Sequence, residues 1–321
     1  MNTNSQFPKL PIFPYKGFVY KYVLKSHTFK VIPDKFKPNP ITLFKYYRIE
    51  HNSIDALIKS YIYVSHPEQL NDVYDSSEHL LIFDDDETNN IILNESPLLD
   101  DQKQEFIKDK ASLSNANKEI IYSKIGIFSM TETPDNTLMW AHYTNNRGFA
   151  IEFNIEKLKH TSTGEIHGPF PMNYVDKIEP IRLSKVDFRC AMLMQSNVKQ
   201  IDWAYENERR LLVECRDGDY SLPSYTFPDE KERKSYYSIE AIESVWLGKK
   251  FFNEKEIQYF DLESGIMYIQ LKDNIEFKSS LLTFLFANQI VTYYWRQNTL
   301  EMKPIECKIK KIAVVNIELQ F

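Results

Sequence analysis

Two short apolar alternations, Ile125-Gly126-Ile127-Phe128 and Phe149-Ala150-Ile151-Glu152-Phe153, flank a polar and aromatic connection from Ser129 to Gly148. Alternation at this period is the mark of strands, so the connection must return the chain to the frame it left. Within it, Trp140, His142 and Tyr143 fall on a short helical turn that Asp135 or Asn136 can cap, and Asn145-Asn146-Arg147-Gly148 reads as a tight turn. Gly148 is expected there for a positive φ. Polar and aromatic side chains gathered on a loop between two strands have the makings of a site on a rigid support.

The rest of the chain extends this frame. Residues 1 to 40 carry Pro8, Pro11, Pro14, Pro33, Pro38 and Pro40 and are expected to form an extended arm with one strand at Phe18 to Leu24. Residues 41 to 321 are read as a single domain. Ile41 to Ile49 alternates as a strand, Asn52 or Ser53 caps a short helix, and Tyr61 to Ser65 is a second strand. The loop His66 to Asp75 then frees Asn71, Asp72 and Asp75 at a strand end. Residues 84 to 120 read as a solvated helical insertion, 164 to 171 as loop, Met172 to Ile178 as a strand and 184 to 201 as helix. The portion 249 to 321 is strand-rich. The fold class expected is α+β, with a mixed or mainly antiparallel sheet and inserted helices.

Composition narrows the function classes. With 43% hydrophobic and 26% charged residues, and a formal charge of -6 over 321 residues, the chain has no dominant nucleic-acid footprint. Cys190, Cys215 and Cys307 lack paired spacing, which argues against a disulfide framework and for a reducing, cytoplasmic setting. No apolar run reaches the roughly 20 residues of a membrane span, and no signal peptide is read at the amino terminus. Glycine-built phosphate loops, a G-x-S-x-G elbow and H-E-x-x-H are absent, and His27, His51, His66, His79, His160 and His167 have no metal-ligand spacing. No metal is expected.

The second informative stretch is Trp203-Ala204-Tyr205-Glu206-Asn207-Glu208-Arg209-Arg210. As a strand it puts Glu206, Glu208 and Arg210 on one face, two carboxylates and a guanidinium whose opposed influences separate acid and base roles. As a helix it makes Glu206 and Arg210 an ordinary i to i+4 pair. His142 either accepts and donates protons in a site or satisfies a buried carbonyl, and Trp140 either stacks on a ligand ring or packs in the core. Ser129 and Thr131 offer hydroxyls where a strand runs into the loop.

Taken together, Leu43-Phe44-Lys45-Tyr46-Tyr47-Arg48, Val64 to Asp72, Phe128-Ser129, Leu138-Met139-Trp140-Ala141-His142-Tyr143 with Gly148 to Phe153, and Trp203 to Arg210 resemble the bacterial "domain of unknown function 2971" family from about Leu43 to Gly248. Val73 departs from the proline usual in that family after the Asn-Asp pair. A more distant analogy runs to ADP-ribosyltransferases of the arginine-serine-glutamate type. It implies NAD as substrate, Arg48 on its phosphate, Ser129 orienting Glu208, Glu208 on the nicotinamide ribose and Glu206 positioning the acceptor. Tyr46, Asn71, Asp72, Thr131, Trp140, Tyr143 and Arg210 would line the substrate, with His142 joining the two glutamates in catalysis. The setting implied is a bacterial toxin or antiphage effector. Two rivals stand beside it: a nuclease built on Asp72, His142, Glu206 and Glu208, and a sensor or partner-binding domain without catalysis.

Overall fold

The computed structural model describes residues 12–23, 26, 28–35, 37–84, 126–214, 233–298, 301–313 and 315–321, with positions 86, 90, 99–101, 103 and 104 between. Most of the polar insertion expected at 84 to 120, together with Pro8, Pro11 and Cys215, lies outside the described residues.

The organising element is an eleven-stranded sheet. Across it the strands run Ile257–Asp261, Ile266–Gln270, Asn316–Gln320, Glu301–Ala313, Val291–Asn298, Ile242–Leu247, Phe149–Asn154, Thr42–Tyr47, Gly126–Thr131, Glu208–Glu214 and Glu165–Pro171. Every neighbouring pair is antiparallel except Ile242–Leu247 with Val291–Asn298. A parallel pair needs a long crossover, and this one is supplied by the outer hairpin and the helix Ile275–Ala287. The α+β class read from the sequence is therefore the one observed.

Strand alternation explains how the sheet is covered. Phe149, Ile151 and Phe153 enter the main core with Leu43, Phe128, Leu211, Val245 and the helix residues Leu281, Leu282 and Leu285. Each such side chain removed from water contributes about 1.5–3 kcal/mol. On the other face Ala150 meets Tyr46, Met139, Trp140 and Trp295 in a smaller aromatic cluster. A third cluster joins Tyr15, Tyr20 and Tyr22 to Leu183, Cys190, Met194 and Leu212. No helix among the described residues is long and apolar enough to cross a membrane.

Several local expectations are corrected. The amino-terminal segment holds three strands, Ile12–Tyr15, Phe18–Val23 and Thr28–Pro33, in an antiparallel meander that turns at Lys16 and Gly17. It forms because its tyrosines are buried against the body. Residues 164 to 171 hold an edge strand, where Pro169 and Pro171 are tolerated. The helix expected at 184 to 201 is confined to Phe188–Gln195 and gives way to the strand Val198–Gln200. Glu50, without a side-chain cap bond, begins the helix His51–Ile58, in place of Asn52 or Ser53. Gly148 has no positive φ; a Cβ there would meet the Tyr47 carbonyl oxygen at 2.0 Å, so the need is for close backbone approach. Asn145 and Asn146 take the positive φ, at 52° and 60°.

Candidate functional site

The site forms where two central strands part. Thr42–Tyr47 pairs with Gly126–Thr131 only at Phe44 and Thr131. Beyond that point Ser65 occupies the free edge of the second strand, exchanging backbone hydrogen bonds of 2.8 and 2.9 Å with Ile127. The opening between them is a pocket of about 190 Å³, walled by Lys45 and Tyr46 on one strand and Ser129 and Met130 on the other. The Ser129 carbonyl, left without a strand partner on this side, accepts a 2.9 Å hydrogen bond from Lys45 Nζ.

The stretch 203 to 210 reaches the pocket by a route between the two read from sequence. Ile201–Glu206 is a 3-10 helix, Asn207 turns in the left-handed region at φ 45° and ψ 48°, and Glu208–Glu214 is a strand. Asparagine tolerates that conformation better than most residues. Glu208 and Arg210 then share a strand face, opposite Thr131 and Ser129 in register. Glu206 arrives from the helical turn and is fixed by its own carbonyl, which accepts 2.7 Å from Thr131 Oγ1.

Charge in the pocket is densely paired. Arg210 grips Asp75 with both terminal nitrogens, at 2.8 and 2.5 Å, and Glu208 Oε1 with Nε at 2.7 Å. Lys199 lies 2.5 Å from Glu206 Oε2, 3.1 Å from Glu208 Oε2 and 3.7 Å from Asp75. Tyr143 donates to Glu206 Oε1 at 2.5 Å, and Asn71 Nδ2 donates to the Tyr143 oxygen at 3.3 Å.

The two glutamates are driven apart. Burial would raise Glu208, but the charges of Arg210 and Lys199 and hydrogen bonds from Arg210 and Ser129 override it and hold its carboxyl well below the usual range. For Glu206 burial wins: with the repulsion of Glu208 it outweighs Lys199 and the Tyr143 hydrogen bond, and the carboxyl is raised. Burial likewise pushes Lys45 down to about 8, helped by Arg210 and Lys199 and opposed by Glu208 and Glu206. The result is one fixed anion, one carboxyl with raised proton affinity and one amine easily deprotonated, all lining one pocket.

Of the residues singled out in the sequence, Tyr46, Asn71, Ser129, Thr131, Tyr143, Glu206, Glu208 and Arg210 line this pocket. Four do not. Arg48 lies past the strand end, exposed, its Nε on the Tyr143 carbonyl at 3.2 Å. His142 precedes Tyr143 on the helix Thr137–Thr144 and so points elsewhere; it is exposed, with Nδ1 3.1 Å from the Tyr205 hydroxyl. Trp140 is buried, donates to the Pro134 carbonyl at 2.7 Å and packs on Tyr46. Asp72 is buried in its own turn, accepting from Tyr74 N at 3.0 Å, with Oδ2 unpartnered. The four residues of the nuclease reading therefore do not meet in this pocket.

Three contributors were not foreseen as site residues. Lys45, half-buried, sits in a strand alternation and Lys199, buried, follows a buried valine, and neither position announces an amine in a pocket. Asp75 was legible only as a loop carboxylate.

Comparison with known proteins agrees with the family resemblance over the core of the site. A family model described as a protein of unknown function (DUF2971) matches residues 139–211, from the helix carrying Tyr143 through the strand carrying Glu208 and Arg210. No curated protein and no solved structure matches the chain. The matched span supplies Tyr143, Lys199, Glu206, Glu208 and Arg210, so most of the charged groups of the pocket lie in the part of the chain that is similar to the DUF2971 family.

Proposed function

We propose that the pocket receives the nicotinamide-ribose end of NAD as substrate and breaks the bond between nicotinamide and ribose. The ADP-ribose would pass to an acceptor or to water. The observation that carries the reading is Glu208, a carboxylate kept ionised at the pocket wall by Arg210, Lys199 and Ser129. Departure of nicotinamide leaves positive charge on the ribose, and a pre-positioned anion stabilises it. Glu206, with raised proton affinity and the Tyr143 hydrogen bond, is suited to take a proton from the attacking group. At about 190 Å³ the pocket is smaller than the roughly 300–1,000 Å³ of sites that enclose a drug-sized ligand, so one end of the dinucleotide would enter. Arg48 has no phosphate role in this version, because it stands outside the pocket.

A cytoplasmic bacterial toxin or antiphage effector is the setting this reading fits. Calorimetric titration with NAD, followed by a nicotinamide-release assay on the wild type and Glu208→Gln, tests it. Absence of both binding and release removes the reading.

One observation favours a second reading, recognition without turnover. Both carboxylate oxygens of Glu208 already face cations, Arg210 on one and Lys199 on the other. Under it NAD or another small polar ligand binds and nothing is released, an outcome the same pair of assays separates.

A further inference from the structure

The pocket wall carries two lysines in opposite circumstances. Lys199 has Glu206, Glu208 and Asp75 within 3.7 Å and its amine over the Trp203 ring at 4.8 Å. Lys45 forms no ion pair among the described residues; its Nζ donates to the Ser129 carbonyl and lies 5.1 Å from the Phe128 ring centroid. It is therefore the uncommitted amine of the cavity. Its charged neighbours act in both directions: Glu208 and Glu206 favour its proton, while Arg210 and Lys199 oppose it. A lysine without an ion-pair partner, set in a cavity beside other cations, is an arrangement that activates amines as nucleophiles.

We propose that Lys45 is a carbonyl-reactive residue and that the pocket takes a small aldehyde or ketone, the open-chain form of a sugar included, as an imine on Lys45 Nζ. The neutral amine attacks the carbonyl carbon, a C–N bond forms, and the carbonyl oxygen becomes a hydroxyl by taking up the proton that nitrogen loses. Glu206, raised by burial, lines the same pocket and donates the proton that lets this hydroxyl leave as water. The C–O bond breaks and a protonated imine remains beside the Glu206 carboxylate; return of its N–H proton to Glu206 gives the neutral imine, and water reverses the sequence. No oxidant or reductant enters the step.

The inference does not rest on NAD as substrate. Its test is reductive trapping: the full-length protein is incubated with glycolaldehyde and cyanoborohydride near neutral pH, digested, and each lysine assayed by peptide mass mapping. With its pKa pushed to about 8, Lys45 holds on the order of a hundredfold more neutral amine near neutral pH than an ordinary lysine of about 10.4. Lys45 is expected to label at least about tenfold faster than the exposed Lys250. Lys45→Met and Lys45→Arg should lose that fast label while retaining the wild-type circular dichroism spectrum. If Lys45 labels no faster than Lys250 in the wild type, the proposal is overturned, whatever the fate of the variants. None of these readouts involves nicotinamide, so trapping and nicotinamide release can fail separately.

Discussion

Arg210 and Glu208, two residues apart on one strand, are joined by a 2.7 Å hydrogen bond from Nε to Oε1, and both are buried. Because strand side chains alternate, this spacing puts the pair on one face, leaving the guanidinium's other nitrogens to reach Asp75 on the loop above. The tie joins the sheet to the loop over the pocket.

Arg210→Met is expected to be severely destabilising. It leaves Asp75, Glu206 and Glu208 buried with only Lys199 among them, and breaking one side of a buried ion cluster costs about 3–5 kcal/mol. Denaturant unfolding measures it. The pH sign follows from Glu208, whose folded pKa lies below its unfolded value: its contribution is present above the ordinary carboxylate range and drains away as pH falls below it. Glu208→Gln should flatten that acid limb.

Glu206 carries the opposite sign. Its carboxyl is raised on folding, so ionising it opposes stability above the unfolded carboxylate pKa, and the penalty disappears in acid. Glu206→Gln keeps an acceptor for Tyr143 and is expected to match or exceed wild-type stability at neutral pH. Any gain should vanish as pH falls through the carboxylate range in a melting-temperature series.

Gly148→Ala is expected to disrupt the frame beneath the site. The added methyl would meet the Tyr47 carbonyl at 2.0 Å and Thr144 Cβ at 2.9 Å, and the first of these is backbone. Overpacking of this kind costs about 1–3 kcal/mol or more. Soluble yield and melting temperature should both fall, whereas Asn145→Gly should be nearly neutral, since glycine accepts the same φ of 52°.

Arg48→Ala and His142→Ala separate the pocket from its surroundings. Both side chains are exposed and outside its wall. Ligand affinity in calorimetry is expected to stay within about threefold of wild type for each, under 1 kcal/mol. A loss of a hundredfold would mean that the ligand lies over the helix Thr137–Thr144.

The sequence carried the sheet and most of the site because alternation and capping are local. Phe149 to Phe153 reads as a strand from its period alone, and Asn136 announces the helix it caps through hydrogen bonds to Leu138 N and Met139 N. What it hid depends on distant contacts. Lys45 and Lys199 became site residues only through the tertiary packing that turns them into one pocket, and for Lys199 through a burial that residue type argues against. The break at Asn207 rests on a single left-handed residue, so neither a pure strand nor a pure helix described Glu206 to Arg210. The edge strand Glu165–Pro171 was masked by its glycine and prolines. The helix Ile275–Ala287 escaped because the exposed apolar residues Ile275 and Phe286 fall off the stripe of Phe277, Leu281, Phe284 and Leu285 and blur its period.

The most direct test of the central claim is the rate of nicotinamide release from NAD by the wild type and by Glu208→Gln at equal folded concentration. If an ionised Glu208 stabilises charge on the ribose, the wild type turns over and the variant falls by about 10²–10³-fold with NAD affinity nearly retained. Release that is unchanged in Glu208→Gln, or no release from a wild type that binds NAD, would contradict it.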